Sequence, residues 1–112
     1  MVKLVSILSL QQGVDPDRAY QVWREKHTSW ARGKILPEAK KYTVNRTIHK
    51  YPPAGGTVAE FDIFGYEMFW FDDLESALRA AECLRSAQPD EFLAEFATTP
   101  KMVIVEEENI KL

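Results

Sequence analysis

His27 is the one side chain whose type and position in the sequence suit acid–base chemistry. An imidazole titrates near neutral pH and can give a proton to a bound substrate or take one from it. The residue lies within Asp15 to Trp30, where Tyr20, Trp23, His27 and Trp30 recur at spacings of three and four. This spacing predicts one helical face that carries three aromatic rings and the imidazole. The alternative is a half-buried histidine that only packs and bonds to the backbone.

The ends of this helix are marked by the residues around it. Asp15 can cap the helix through its side-chain oxygen, and Pro16 suits the first helical position, which needs no backbone N–H. Gly33 and the pair Leu36-Pro37 predict an end at about Lys34. A single amphipathic helix of about five turns therefore positions the imidazole.

The remaining elements follow from alternation, turn residues and helical spacing. Prolines and glycines predict a loop at 49–60, which is either a lid or partner-binding segment or a plain hairpin connection. Asp72 with Glu75 resembles a capping box, ahead of a second helix. The predicted strands are Lys3–Leu10, Lys41–Ile48, Phe61–Phe71 and Lys101–Val105. The buried stripe predicted for the second helix is Leu74, Ala77, Leu78, Ala81 and Leu84. A short extra helix is predicted at Pro89–Ala97.

The order β-α-β-β-α-β predicts the α+β, ferredoxin-like fold, a four-stranded antiparallel sheet with both helices on one face. The other face would then be bare, although several strands carry apolar residues on both sides. A symmetric partner is the simplest cover for such a surface. We therefore predict a homodimer joined sheet face to sheet face.

Composition bounds the possible functions. The chain has 112 residues, room for one domain over residues 1–112, and a net charge of −3. Basic residues form no run with interleaved aromatics, so we expect no nucleic-acid partner. No apolar run reaches about 18 residues, so we expect no membrane span. The opening residues MVKLVSILSLQQGVD alternate like a strand and lack a small-residue cleavage site, which favours a cytoplasmic protein.

Metal and cofactor chemistry have little support in the sequence. Cys83 is the only cysteine, and its small-residue helix predicts a buried thiol. His27 and His49 are the only histidines, and neither has a partner at metal-ligand spacing. Gly55-Gly56 lacks the strand–turn–helix context of a phosphate loop. We expect neither a metal nor a cofactor.

The sequence resembles the EthD family of dimeric α+β barrels over nearly its whole length. The segments that carry the resemblance are VKLVSIL, the helix motif WREKH, KKYTVNR, the strand end FWFDD and the closing MVIVEEE. The resemblance implies a pocket in each subunit, between the sheet and its helices. Relatives of this fold include cofactor-independent isomerases, cyclases, dehydratases and monooxygenases that act on small cyclic or polyketide-derived compounds. Other dimeric α+β barrels use haem, which an absorption band near the Soret region would reveal.

The resemblance also suggests which residues line the pocket. The pocket residues of a related muconolactone isomerase carry over onto His27 and Tyr42 as catalytic candidates. Tyr42 and Tyr66 could hold a carbonyl or phenol oxygen, and Arg46 could pair with a carboxylate. Trp23, Met68 and Trp70 would supply an apolar wall for a flat ring.

One departure from the family pattern concerns the acid beside the imidazole. Relatives often carry a glutamate two residues before the Trp-Phe pair, where this chain has Met68. Glu67 is one residue away, and alternation along a strand predicts that it faces away from His27. We therefore expect the imidazole to lack a carboxylate partner.

Two functions from different classes remain open. The first is a cofactor-free isomerase, cyclase, dehydratase or monooxygenase in which His27 shuttles a proton. The second is a non-catalytic small-ligand-binding or accessory protein that uses the same pocket. A dimeric scaffold without a pocket is a third possibility.

Overall fold

The structure is a computed structural model that describes residues 1–35, 38–56 and 62–112. Its four strands form one antiparallel sheet in the order β2-β3-β1-β4, as the ferredoxin-like arrangement requires. The bounds of the strands are β1 Val2–Leu8, β2 Lys41–Arg46, β3 Gly65–Phe71 and β4 Lys101–Glu106.

The predicted first helix is continuous but changes its winding. Asp15 caps it by accepting from the N–H of Asp17, and Pro16 stands at its start, as predicted. A π-helical turn interrupts α-helical geometry and ends at the predicted acid–base residue, His27. The helical bounds are α1 Pro16–Val22, the π-helical turn Trp23–His27, α2 Thr28–Ile35, α3 Leu74–Ser86 and α4 Glu91–Glu95. Leu36 and Pro37, predicted to end the helix, lie outside the described residues, as do 57–60 of the predicted loop and Phe61.

The second helix, α3, keeps part of its predicted buried stripe, because Ala77 is buried and Ala81 and Leu84 pack against the core, but its cap and the two other leucines differ from the prediction. Asp73, not Asp72, caps it by accepting from the N–H of Ser76. Ala77 and Ala80 are buried, whereas Leu74 and Leu78 are more than half exposed. Small alanines let the helix lie close to the sheet, which turns the larger leucines outward. The same rotation places Cys83 on the surface, so the prediction of a buried thiol is wrong.

The core lies on one side of the sheet, in two clusters along the first helix. One cluster joins α2 and α3 to the sheet through Leu4, Phe69 and Phe71. The other joins α1 and α4 through Trp23 and Phe92. His27 lies one turn after Trp23 and one turn before Ala31, so it falls between the two clusters. No helix among the described residues is long and apolar enough to cross a membrane; the cytoplasmic location stays a prediction.

Candidate functional site

His27 ends the π-helical turn and points into the protein, with only 3% of its surface exposed. Its Nε2 lies 2.9 Å from Oε1 of Glu67, and its Nδ1 lies 3.0 Å from Oδ2 of Asp90. The ring also packs at 5.2 Å from the rings of Trp30 and Phe92. A π-helical turn inserts an extra residue into a helix and recurs at functional sites. Here it aims the imidazole at two carboxylates.

Glu67 corrects the prediction that the imidazole has no carboxylate partner. Strand β3 does alternate, but Glu67 shares the helix-covered face with Phe69 and Phe71, and Met68 faces the other way. Glu67 is 2% exposed. Its Oε2 accepts a hydrogen bond from the hydroxyl of Tyr42 on the neighbouring strand. The error lay in assigning the imidazole to the wrong face of the strand.

Asp90 is a site residue that the sequence reasoning missed. It caps α4 by accepting from the N–H of Leu93 through one oxygen, and it binds His27 through the other. The two partners are 63 residues apart in sequence, so no local spacing connects them. The one available signal was an aspartate directly before a short helical pattern, which predicts a cap but not its contact with an imidazole.

The network fixes the protonation of the imidazole. Burial by itself would lower the pKa of His27, but hydrogen bonds to Asp90 and Glu67 and the charges of both carboxylates outweigh it and raise the pKa to about 9. Burial would likewise raise the pKa of Asp90, yet its hydrogen bond to His27 and the imidazolium charge hold it below its usual value. Burial and the Glu67 charge raise the pKa of Tyr42. At neutral pH the site holds an imidazolium between two carboxylates and a neutral phenol.

A cavity of about 580 Å³ opens beside this network. His27, Glu67 and Ser6 contribute the polar part of its wall next to the sheet. Segments on either side of α4 and the end of α3 close the rest. These apolar and mixed wall residues are Gln11, Trp30, Phe69, Leu84, Arg85, Ala87, Pro89, Leu93, Ala94, Ala97, Thr98, Thr99, Pro100 and Met102.

Other predicted binding residues lie apart from this cavity. Trp23 is fully buried in the core cluster with Phe92. Arg46 pairs with Asp17 at 3.0 Å and lies over the ring of Tyr20. Strand alternation puts three further residues on the bare face of the sheet, away from His27: Tyr66, Met68 and Trp70. The structure thus brings together His27 and Tyr42 from the predicted set and adds Glu67 and Asp90 to them.

Metal binding finds no support in the described ranges, where no group of three or more His, Cys, Asp or Glu side chains could hold an ion. His27 has two carboxylate neighbours, but both ring nitrogens are already engaged by them. An imidazole held between two carboxylates is a group that can hold or move a proton.

Fold and site together define a ferredoxin-like α+β domain with a histidine–carboxylate network in a cavity wall. No protein-family model matches the sequence, and no curated protein is significantly similar to it. Solved structures do share its fold. One is an ethyl tert-butyl ether d (EthD) family protein from Bacillus halodurans, with a TM-score of 0.62 and 19% identity over 96% of this chain and 99% of that chain.

Two further structures are similar at the same level. An EthD-like protein from Ralstonia eutropha has a TM-score of 0.61 and 18% identity, over 94% of this chain and 89% of the other. A dimeric protein of unknown function and ferredoxin-like fold from Bacteroides fragilis has a TM-score of 0.59 and 16% identity, over 95% of each chain. At these identities the likeness establishes the fold. The predicted fold class is confirmed, and the matching structures include the family that the sequence resembles.

Proposed function

We propose that the protein is a cofactor-independent enzyme that binds a small, largely apolar molecule beside His27 and transfers a proton on it. The single observation that carries this proposal is the buried pair of His27 and Glu67 in the wall of the cavity. Buried titratable pairs in a concave apolar site are the default candidates for acid–base catalysis. The EthD resemblance supports cyclic, lactone or polyketide-type substrates and an isomerisation, cyclisation or dehydration.

The protonation state assigns roles within the pair. With a pKa of about 9, His27 holds its proton at neutral pH and is a poor base there. Glu67 is therefore the better acceptor for a substrate proton. The imidazolium keeps Glu67 oriented and opposes the negative charge that develops on the substrate. The proton then returns from Glu67 to another atom of the same substrate, so the reaction needs no oxidant or reductant.

One observation favours a second candidate, a non-catalytic binding protein. Both ring nitrogens of His27 and both carboxylate oxygens of Glu67 already have partners within the protein. A network satisfied in this way can hold a cavity open without taking part in chemistry. The two candidates predict the same ligand site and differ in turnover.

Deuterium exchange separates the two candidates. The probe is 2-tetralone, an apolar two-ring ketone with acidic C–H bonds, and NMR in D₂O follows the loss of its C1 protons. We expect the protein to accelerate exchange and Glu67→Gln to reduce that acceleration by about 100-fold or more. Glu95→Gln, which changes an exposed glutamate of α4, is the matched control and should leave exchange unchanged.

Binding of the ketone without accelerated exchange would support the binding protein and contradict the enzyme. Equal exchange rates in the wild type and Glu67→Gln would also contradict the proton-transfer role of Glu67.

We also propose that two chains pair through their bare sheet faces. Val103 and Val105 of β4 and Tyr66 of β3 are 46%, 37% and 41% exposed on this face. An apolar surface of this kind is usually covered by a partner. The Bacteroides fragilis structure is described as dimeric, which supports pairing of two chains but says nothing of the faces involved.

A further inference from the structure

We propose that Ser6 is a substrate-binding residue whose hydroxyl donates a hydrogen bond to the carbonyl oxygen of a neutral ligand in the cavity. This inference rests on the proposed function, because the carbonyl that Ser6 binds is the one next to the carbon that gives its proton to Glu67. It names both a residue and a chemical class of substrate: a small, uncharged, enolisable ketone, ester or lactone.

The first argument is the isolation of the hydroxyl. Ser6 is 5% exposed, and its neighbours on the same face of β1, Leu4 and Leu8, are fully buried. Within the described part of the chain the Oγ of Ser6 has no hydrogen-bond partner. It differs from Trp23 Nε1, the one polar side-chain atom there that is both unpartnered and fully inaccessible. Ser6 instead lines the cavity. A hydroxyl in an apolar setting costs free energy unless something pairs with it, and the cavity is where a partner can arrive.

The second argument is the register of the sheet. Ser6 on β1 lies directly opposite Glu67 on β3, and both side chains face the helices. Directly opposed residues in an antiparallel pair have Cβ atoms roughly 5 Å apart. A hydroxyl donor and a carboxylate acceptor therefore stand side by side on the cavity floor. This is the pairing that enolisation needs: a donor at the oxygen and a base at the adjacent carbon.

The third argument is the charge of the floor. Glu67 and Asp90 contribute two negative charges, and His27 contributes one positive charge. The net negative charge disfavours an anionic group at this end of the cavity. Arg85, which also lines the cavity, is bound to Glu82 of the same helix at 2.6 Å. A neutral carbonyl with an apolar body fits the floor and the aromatic walls together.

The chemical step balances within the ligand and Glu67. The bond between the α-carbon and its hydrogen breaks, and the proton passes to the carboxylate of Glu67. The electron pair of that bond forms a carbon–carbon double bond, while the carbonyl π electrons move onto oxygen. The resulting enolate oxygen accepts the hydrogen bond from Ser6, which is stronger to a charged acceptor than to the ground-state carbonyl. Return of the proton restores Glu67.

The test compares two probes on two matched variants. 2-Tetralone carries the carbonyl, and tetralin is the same ring system without it; ligand-observed NMR titration measures both affinities. Ser6→Thr keeps the hydroxyl. Ser6→Val has nearly the same volume and shape as Ser6→Thr but carries a methyl group in place of the hydroxyl. We expect Ser6→Val to bind 2-tetralone about 5- to 10-fold more weakly than Ser6→Thr, as loss of one hydrogen bond implies. Tetralin should bind both variants equally, and circular dichroism checks that both are folded.

Three outcomes would overturn the assignment: equal affinities of the two variants for 2-tetralone, an equal loss for tetralin, or no preference of the wild type for the ketone over the hydrocarbon. Failure of the proposed function looks different. A wild type that binds 2-tetralone through Ser6 but does not accelerate its exchange keeps the Ser6 site and loses the enzyme. If the wild type accelerates exchange but Ser6→Thr and Ser6→Val bind 2-tetralone equally, the enzyme proposal stands and the Ser6 site is contradicted.

Discussion

Glu67 and Met68 are neighbours in sequence, yet they lie in two regions of opposite character, the helix-covered face and the bare face of the sheet. Across the covered face, Glu67 stands in one row with Val44, Ser6 and Met102. Across the bare face, Met68 stands in one row with Thr43, Val5 and Val103. The covered row holds a carboxylate and a hydroxyl, whereas most of the bare row is apolar.

Buried side chains are usually apolar, as they are in the rest of the covered face, so a carboxylate and a hydroxyl in this one row are exceptions. A carboxylate sealed under helices persists because His27 and Tyr42 pair with it. The apolar side chains on the bare face are those that the proposed second chain would cover. The two faces thus carry the two proposals separately, the ligand site on the covered face and the dimer interface on the bare face.

The largest expected effect comes from breaking the covered row. Glu67→Met removes one carboxylate from the imidazolium and leaves the hydroxyl of Tyr42 without an acceptor. We expect a loss of roughly 4 kcal/mol in the free energy of unfolding. Urea denaturation at one protein concentration measures it. Met68→Leu, the control on the other face, conserves volume and should cost less than about 1.5 kcal/mol; equal losses for both variants would mean that the two faces do not differ.

The next effect uses pH on the same row. The pKa of His27 is about 9 in the folded protein, above its ordinary value of 6.5. Because the pKa is higher in the folded protein, the stabilisation that protonated His27 gives the fold is fully present below pH 6.5 and is lost as the pH rises through 9. The loss amounts to roughly 3 kcal/mol by linkage.

Urea denaturation of wild type, His27→Gln and His49→Gln at pH 6 and pH 9.5 checks this. His49 is exposed and is not among the groups that shift the pKa of His27, so His49→Gln should keep the wild-type dependence, and His27→Gln should flatten it. A flat profile in the wild type would contradict the raised pKa.

Sequence reasoning predicted features that depend on local signals and missed those that depend on long-range contacts. Local signals predicted the helix start at Asp15 and Pro16 and the order of strands and helices along the chain, and the fold class followed from that order. His27 and Tyr42 were predicted together because a family motif carried them. The face of Glu67 was predicted wrongly, because alternation gives two faces but does not say which one the helices cover.

The missed residues show why the rest was out of reach. Asp90 binds His27 across 63 residues, a contact that only tertiary packing creates. Ser6 is one polar residue in an apolar strand, and its importance depends on its position opposite Glu67 in the sheet. The exposed Leu74 and Leu78 of α3 show the same limit, since the sheet accepted the alanine side of the helix. Sequence periodicity defines a face, and packing decides its use.

A third prediction addresses the bare face. Met68→Glu places a charge in the centre of the proposed interface, once in each chain. We expect the dimer dissociation constant to rise by about 100-fold or more, since each 1.4 kcal/mol is tenfold. Analytical ultracentrifugation across a concentration series measures it. Affinity for 2-tetralone should stay at the wild-type level, because the residue points away from the cavity; a dimer as tight as wild type would contradict the interface.

The smallest expected effect tests whether the charge of Asp90 helps to raise the pKa of His27 or whether Asp90 only caps α4. Asp90 and Asp73 both cap helices, α4 and α3, but only Asp90 touches His27. Asparagine caps about as well as aspartate, so Asp90→Asn and Asp73→Asn each keep the cap and remove one charge. We expect Asp90→Asn to lower the pKa of His27 by about 1, and Asp73→Asn to leave it unchanged.

NMR titration of the imidazole signal, assigned with His27→Gln, measures both variants. The matched caps matter because any loosening of a helix end would act in both, whereas the charge acts in one. If the pKa of His27 is the same in the two variants, Glu67 alone stabilises the imidazolium, and Asp90 only caps α4. If only Asp90→Asn shifts, the imidazole is held from both sides, and a ligand that draws on Glu67 leaves His27 charged through its second carboxylate.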